Sequence, residues 1–359
     1  MVIAPSQPDH RPRLPKRWAA LFASGLMAAA GLSGCTSLGA TRIAVDRGDY
    51  ADRLRESDKD QLLSNIVALR FGDGPLFLQV ASVTSQYARE ISANARGNFN
   101  RGDNDEAAVL TANASLRETP TITYTPMTGE KFAHDLLSPI SPVSLLAMMQ
   151  VGWNADDLFR VAVRSINGVR NLSRAPMFAL EPAGDFPGLA LAFRRLQQSG
   201  GLSLRVHEDD KAYVAEVQLA ANLTPEQSAD VAFLRTALGG QGGPRAPGSD
   251  LRIVFAGFSS ANDQLAISTR SMFAILEEMG QGVDMAGDGR FAPDVLVRVQ
   301  SGPRPPKASF AAVRYHERWF WIDADDETSK RAFLIAQVLM SLSDDAGNAK
   351  APLVVIPAG

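Results

Sequence analysis

The chain has 359 residues, a formal net charge of −3 at neutral pH, 45% hydrophobic and 21% charged residues, and a single cysteine, Cys35. That length supports a large core and about two domains, and a mildly acidic chain lacks the clustered basic footprint that a nucleic-acid partner requires. One cysteine excludes disulfides within the chain.

The first pattern met along the chain is a targeting one. Arg11, Arg13, Lys16 and Arg17 precede an apolar run over 18–32, and Leu32-Ser33-Gly34-Cys35 follows. The run is shorter than the about 20 residues that span a bilayer, and the order basic, apolar, small predicts a secretory signal peptide over 1–34. The Leu-Ser-Gly-Cys ending resembles the lipobox of bacterial lipoproteins. That resemblance implies cleavage before Cys35, acylation of its thiol by palmitate-type chains, and a body in the periplasm. One acyl chain anchors only marginally at about 0.8 kcal/mol per buried methylene, so two or three would hold the protein firmly. Thr36 stands where such lipoproteins of enteric bacteria carry Asp for retention at the inner membrane, which implies the outer membrane. Loss of 1–34 removes four bases and Asp9 and takes the net charge from −3 to about −6. No second run of 18 apolar residues follows.

Residues 35–50 lack periodicity and read as a lipidated tether. A region over 51–180 begins with a helix capped by Ser57 with Asp60 three residues on; Leu62, Leu63, Ile66, Val67 and Leu69 share one face, and Gly72-Asp73-Gly74-Pro75 stops it. Extended chain over 76–94, the turn-rich 98–105 and a second extended run over 109–116 predict a long hairpin with weakly apolar faces. Residues 120–126 read as a separate edge strand bounded by Pro120 and Pro126. Three helices follow, started by Thr128, by Ser141 with Pro142, and by Asn154 with Asp157. Gly152 and Gly168 read as stops, and Leu145, Leu146, Met149, Leu158, Phe159, Ala162 and Ile166 as apolar stripes.

The remainder, 181–359, reads as a C-terminal α+β domain of three hairpin-then-helix units. The first has strands over 202–207 and 212–219 and a helix over 225–238 capped by Thr224. The second has strands over 251–258 and 264–269 and a helix over 271–279. The third has strands over 310–315 and 319–323 and a helix over 327–342. Strands over 295–299 and 353–356 are added, and 239–244 forms a Gly-rich linker. Such units imply an antiparallel sheet with helices on one face. Three segments, 62–83 (LLSNIVALRFGDGPLFLQVASV), 121–132 (TITYTPMTGEKF) and 312–329 (AVRYHERWFWIDADDETS), are similar to a group of predicted lipoproteins of Gram-negative bacteria. That resemblance supports the envelope compartment and implies no catalytic residue.

Chemistry-bearing patterns are sparse. His134, His207 and His316 each sit beside an acidic residue, but none has a second histidine at ligand spacing, so they read as turn or surface groups. The chain after the signal contains no Gly-x-Ser-x-Gly elbow, Ser-x-x-Lys signature, phosphate loop or dinucleotide fingerprint. Asp323, Asp325, Asp326 and Glu327 form the densest acidic cluster. Clustered carboxylates suit calcium, yet Thr328 and Leu334 stand where a helix-loop-helix calcium site needs Gly and Glu. The reading preferred is therefore helix capping, with carboxylates stabilised at a helix N-terminus by about 0.3–1 kcal/mol each. Trp319 and Trp321 share a strand face expected to pack against helices. No cofactor is expected.

These features point to a lipid-anchored periplasmic component of an envelope assembly at the outer membrane, meeting a protein partner or another copy through the long hairpin. A periplasmic hydrolase of envelope polymer or lipid is the second reading. The third is a protomer of a ring or pore, against which Arg89, Glu90 and Arg96 are expected to interrupt a lipid-facing band.

Overall fold

Helix α1 (Leu38–Phe71) ends in a Schellman motif: Asp73 N–H donates to Ala68 O at 2.9 Å, Gly72 N–H donates to Leu69 O at 3.1 Å, and Gly72 takes φ +86°. A left-handed residue at this position costs a glycine nothing and closes the orphan carbonyls of the last turn. The computed structural model describes residues 38–98, 107–209, 212–238, 250–255 and 264–345. The chain divides into two compact units, Met1–Asp58 and Lys59–Gly359. The lipobox Cys35 and the strand expected over 353–356 lie outside the described residues. Since α1 begins at Leu38, residues 38–49 are helical where an aperiodic tether was expected, and Ser57 lies inside the helix instead of capping it.

β1 (Leu78–Asn98) and β2 (Ala107–Pro126) form the long hairpin, paired antiparallel from Leu78↔Pro126 to Asn98↔Ala107 with one bulge between Val80 and Ser82. At about 3.3 Å per residue the ribbon is about 65 Å long. Residues 120–126 are the root of β2, not a separate strand. The two prolines are tolerated because no third strand claims their edge among the described residues.

Three short helices follow: α2 (Glu130–Leu137), α3 (Pro142–Gln150) and α4 (Ala155–Ala162). Gly129, not Thr128, stands at the N-cap of α2. Ser141 and Asn154 take the two other cap positions, and Pro142 opens α3. The chain then leaves helix earlier than expected. β3 (Val163–Ile166) and β4 (Val169–Arg170) form a tight hairpin around Asn167 and Gly168, at φ +44° and +83°. Asn-Gly is the preferred pair for such a primed turn, so Gly168 turns a hairpin and Ile166 belongs to a strand. Helix α5 (Phe186–Gln198) is capped by Asp185, whose carboxylate accepts from Gly188 N–H.

A six-stranded sheet runs in the order β4-β3-β8-β7-β6-β5, with β5 (Leu202–Asp209), β6 (Ala212–Leu219), β7 (Asp250–Phe255) and β8 (Gln264–Thr269). It draws strands from both sides of residue 180. Helix α6 (Pro225–Ala237) carries a full capping box between Thr224 and Gln227, and α7 (Met272–Gly280) is capped by Ser271. A second sheet joins β9 (Gln300–Gly302), β10 (Ser309–Tyr315) and β11 (Arg318–Asp323) in the order β10-β11-β9, followed by α8 (Glu327–Asp345). The fold is α+β.

Three expectations change in detail. β7 and β8 run parallel, from Arg252↔Gln264 to Phe255↔Ile267, whereas a hairpin was expected; apolar alternation and short separation carry no information on direction. Residues 295–298 are irregular chain, and the strand starts at Gln300. Phe320 and Ile322, both fully buried, form the inward face of β11, with Trp319 and Trp321 on the half-buried face. An indole N–H needs an acceptor, and Trp321 Nε1 finds Asp323 Oδ1 at 2.9 Å there.

The core is one continuous apolar cluster drawing on α1, α3, α4, α5, α7, α8 and the inner faces of both sheets. At its centre lies a charge. Arg270, 5% exposed between β8 and α7, donates to the carbonyls of Arg160, Val161 and Leu172, while Asn171 Nδ2 donates to those of Phe159, Arg160 and Val163. Together they satisfy the orphan carbonyls where α4 turns into β3. Burial lowers the Arg270 pKa to about 10, opposed by the Glu278 charge, so it stays cationic at neutral pH. Glu278 accepts in turn from Ser173 Oγ, Arg174 N–H and Ala175 N–H at 2.7–3.1 Å.

Replacing Arg270 by Met leaves three carbonyls and a carboxylate without their cation, and the expected loss is about 3–5 kcal/mol. In urea this appears as a lower midpoint with little change in slope. Arg270→Lys should recover little of it, because one ammonium cannot reproduce the planar fork. A fully stable Arg270→Met variant would show that α4 holds its end without this contact.

Candidate functional site

The chemistry-bearing residues singled out in the sequence are not brought together. His134 is exposed on α2 with Asp135 Oδ1 at 3.4 Å, and His316 is exposed in the β10–β11 turn. His207 lies in β5, opposite Val214. Asp326 caps α8: Ser329 N–H donates to its Oδ1 at 3.1 Å, Ser329 Oγ donates to Oδ2 at 2.6 Å, and Arg298 stands 3.6 Å away. Burial would raise the Asp326 pKa, but the Ser329 hydrogen bonds and the Arg298 charge outweigh it and hold it below the usual range. Asp323 accepts from Trp321, Glu327 pairs with Lys330 at 2.6 Å, and the Asp325 carbonyl accepts from Glu327 N–H. Among the described residues no three His, Cys, Asp or Glu side chains converge as a metal set.

A cavity of about 440 Å³ opens beside α4, α5 and the start of α8, with Asp156, Asp157, Arg160, Phe186, Leu296 and Arg331 in its wall. Its charges are largely spent on one another. Asp156 pairs with Arg194 at 2.8 Å and Asp157 with Arg331 at 3.6 Å, and Arg160 donates to the Val295 carbonyl. Burial lowers the Arg160 pKa, with Asp157 and Asp294 opposing it. The wall contains no histidine, cysteine, serine or lysine, and its hydroxyl is that of Thr328, beside the carboxylates of Asp156, Asp157, Asp294 and Glu278.

The feature built with most care is the root of the ribbon. Gln61 and Asn65 lie one turn apart on α1, and each makes a two-point amide contact with the chain entering β1. Asn65 Nδ2 donates to Leu76 O at 2.8 Å while Leu76 N–H donates to Asn65 Oδ1 at 2.7 Å. Gln61 repeats the pattern with Leu78, at 3.2 and 2.7 Å. Four helical residues rise about 6.0 Å and two strand residues about 6.6 Å, so the two side chains match the strand period and act as a surrogate strand. Met127 N–H donates to Phe77 O at 2.9 Å and extends the ladder between the two chains.

α1 is gripped by the three-stranded sheet as well. Lys59 Nζ donates to the Phe310 carbonyl at 3.1 Å and sits 4.9 Å from its ring, and Ala312 N–H donates to Asp60 at 3.2 Å. At the other end Phe71 meets Tyr315, His316 and Phe320 with ring centroids 5.2–5.9 Å apart, and the Tyr315 hydroxyl donates to Asp73. His316 and Glu317, at φ +43° and +65°, form the two-residue turn that presents Tyr315. Thus the ribbon root, α1 and the β10–β11 hairpin form one bonded block.

Sequence reasoning passed over Gln61 and Asn65. The available signal was a short amide inside an apolar helical face, since Asn65 is buried between Leu62 and Ile66. No protein-family model matches the chain, and no curated protein or solved structure matches it.

Asn65→Ala removes both bonds to Leu76, with an expected loss of about 1–3 kcal/mol. Amide exchange should quicken at Leu76 and Leu78 and stay slow in β10 and β11; unchanged protection at Leu76 would show that the amide clamp does not hold the root. The Asp73 hydrogen bond, with lesser help from burial, pushes the Tyr315 hydroxyl pKa up to about 12. A folded pKa above the unfolded one of about 10 stabilises the fold below pH 10, and this contribution is lost as pH rises from 10 to 12. In an alkaline titration followed by phenolate absorbance, one of the five tyrosines should ionise late. Tyr315→Phe should abolish that late step and no other.

Proposed function

We propose that this protein is a lipid-anchored component of a cell-envelope assembly, held at the periplasmic face of the outer membrane through Cys35 and joined to other copies of itself through the β1–β2 ribbon. The observation that carries the reading is the ribbon: two strands paired over their whole described length with one bulge, and no third strand on either edge among the described residues. A row of unpaired N–H and C=O groups on each side is a template for pairing with another chain. The amide clamp from α1 supports it further, because a hairpin that only closed a loop would need no such root. The basic-apolar-small order before Cys35 supports the anchor. No observation favours the hydrolase reading over this one.

The register also defines the cut that tests it. Joining Val83 to Ile122 through an Asn-Gly turn removes the distal ribbon at paired positions. Purified from detergent-solubilised membranes, the shortened chain should keep its thermal midpoint and run as a monomer where the full chain runs as a multimer. Mass spectrometry of both should find chains that start at an acylated Cys35. A shortened chain that still multimerises, or a full chain that is monomeric at every concentration, would remove the ribbon from the assembly.

A further inference from the structure

Among the described residues the two sheets of the body end in four strand edges, β4 and β5 on one and β10 and β9 on the other. Three of them are covered. Arg170 of β4 exchanges backbone bonds with Ala183 at 2.9 and 3.4 Å. Lys59 and Asp60 of α1 meet the Phe310 carbonyl and the Ala312 N–H of β10. Along β9, Asp284 N–H donates to Val299 O at 2.9 Å and Ser301 Oγ donates to Asp284 O at 2.6 Å. The fourth edge, β5, pairs with β6 alone among the described residues. Ala220 N–H donates to Gly201 O at 3.0 Å, which makes theirs a hydrogen-bonded pair. Bonded and unbonded pairs alternate along an antiparallel ladder. Ser203↔Gln218 and Arg205↔Glu216 are therefore bonded, and Leu202 and Leu204 turn their N–H and C=O groups away from β6.

Residues 202–204 of this edge line a cavity of about 430 Å³ together with Met149, Gln150, Asn154, Gln197 and Gln198, and no charged residue stands in its wall. The wall is braced from behind: Gln197 accepts from Ala155 N–H at 3.1 Å and donates to the carbonyls of Met149 and Trp153 at 2.9 and 2.8 Å. We infer that β5 and this cleft take an extended, uncharged peptide segment of a partner protein as an added strand. The outward groups of Leu202 and Leu204 lie about 6.6 Å apart along the strand, the spacing of alternate residues in another strand, and main-chain bonds to such an edge are a recurring mode of peptide recognition. A saccharide presents no row of alternating N–H and C=O groups to match them. A charged segment would lose its hydration in the cleft without meeting a counter-charge. The exposed Gln150 and the Gln198 amide, which donates to Asn154 Oδ1 at 3.2 Å, supply further neutral bonding groups. Leu202-Ser203-Leu204 carries none of the charges or prolines that keep edge strands from pairing; Arg205, opposite Glu216, ends the uncharged stretch. The cleft shares no residue with the ribbon, so this inference and the assembly reading fail independently.

The test uses the full chain in detergent and the blocked peptide acetyl-Ser-Val-Thr-Val-Ser-amide, which is uncharged and built from strand-forming residues at its centre. In the free chain the amides of Leu202 and Leu204 should exchange quickly and those of Ser203 and Arg205 slowly. Peptide at about ten times its dissociation constant should slow exchange at Leu202 and Leu204 about tenfold and leave Ser203 and Arg205 unchanged. The same peptide N-methylated at its three central residues has lost the donors that face the edge and should have no effect. Leu204→Pro removes an outward N–H and no bond to β6, and should abolish the protection at Leu202. Slow exchange at Leu202 and Leu204 in the free chain would show that the chain covers its own edge and overturn the inference. Protection by the methylated peptide would overturn it by making the contact one of side chains, and so would no protection by the parent peptide at about 1 mM, the weak end of specific binding. If Leu204→Pro lowers the thermal midpoint too far to be read, the comparison of the two peptides on the unaltered chain decides alone.

Discussion

A buried arginine decides how the body of this protein is put together. Arg270 sits where helix α4 gives way to strand β3, and its guanidinium answers three carbonyls that no regular structure serves. Its backbone belongs to the same knot: Arg270 N–H donates to Ala162 O at 2.7 Å and Ile140 N–H donates to Arg270 O at 3.0 Å. The end of β8, the end of α4, the entry to α3 and the 171–175 segment thus meet around one side chain. A buried cation with unmet hydrogen bonds would be costly; this one reaches three carbonyls and lies in the field of Glu278. An apolar residue there would strand three carbonyls and the Glu278 carboxylate, so the contact holds the junction together as well as fixing its geometry.

With the body fixed in this way, the ribbon can be long without being loosely attached. α1 links the two. One side of it presents Gln61 and Asn65 to the strand that begins the ribbon, and Lys59, Asp60 and Phe71 bond the three-stranded sheet. Amides hold the ribbon better than apolar contacts would, because hydrogen bonds to Leu76 and Leu78 fix the register of β1 relative to the helix as well as its distance. A hydrophobic seam allows sliding by a residue, which would turn every ribbon face over.

How much of this was legible depended on the range of the interaction. The apolar stripe of α1, its glycine stop, the Thr224 cap and the first and third strand pairs are local, and the sequence displays them directly. Asn167-Gly168 was equally local, but a helical stripe ending at Ile166 masked the hairpin signal. Helix α5 carries Asp185 as a cap and Leu189, Phe193 and Leu196 at helical spacing, and it could have been read from these. By contrast, the direction of β8 beside β7, the inward turn of Phe320 in place of the tryptophans, and the Arg270 contacts at separations of about one hundred residues depend on partners that no local pattern names. The candidate site divides likewise. The hairpin was visible as extended chain around a turn, whereas its clamp depends on the chain turning back after α1 so that Gln61 and Asn65 lie beside the strand.

The root of the ribbon shows how a local contact sets a long pairing. The clamp at Leu76 and Leu78 fixes where β1 starts relative to α1, and the pairing Leu78↔Pro126 to Val80↔Tyr124 follows from that start. The bulge between Val80 and Ser82 then shifts the pairing by one residue, and from Ser82↔Thr123 the new register holds to Asn98↔Ala107. An extra residue in one strand bends and twists the ribbon locally, so the clamp and the bulge together determine the direction in which the two strands leave the helix.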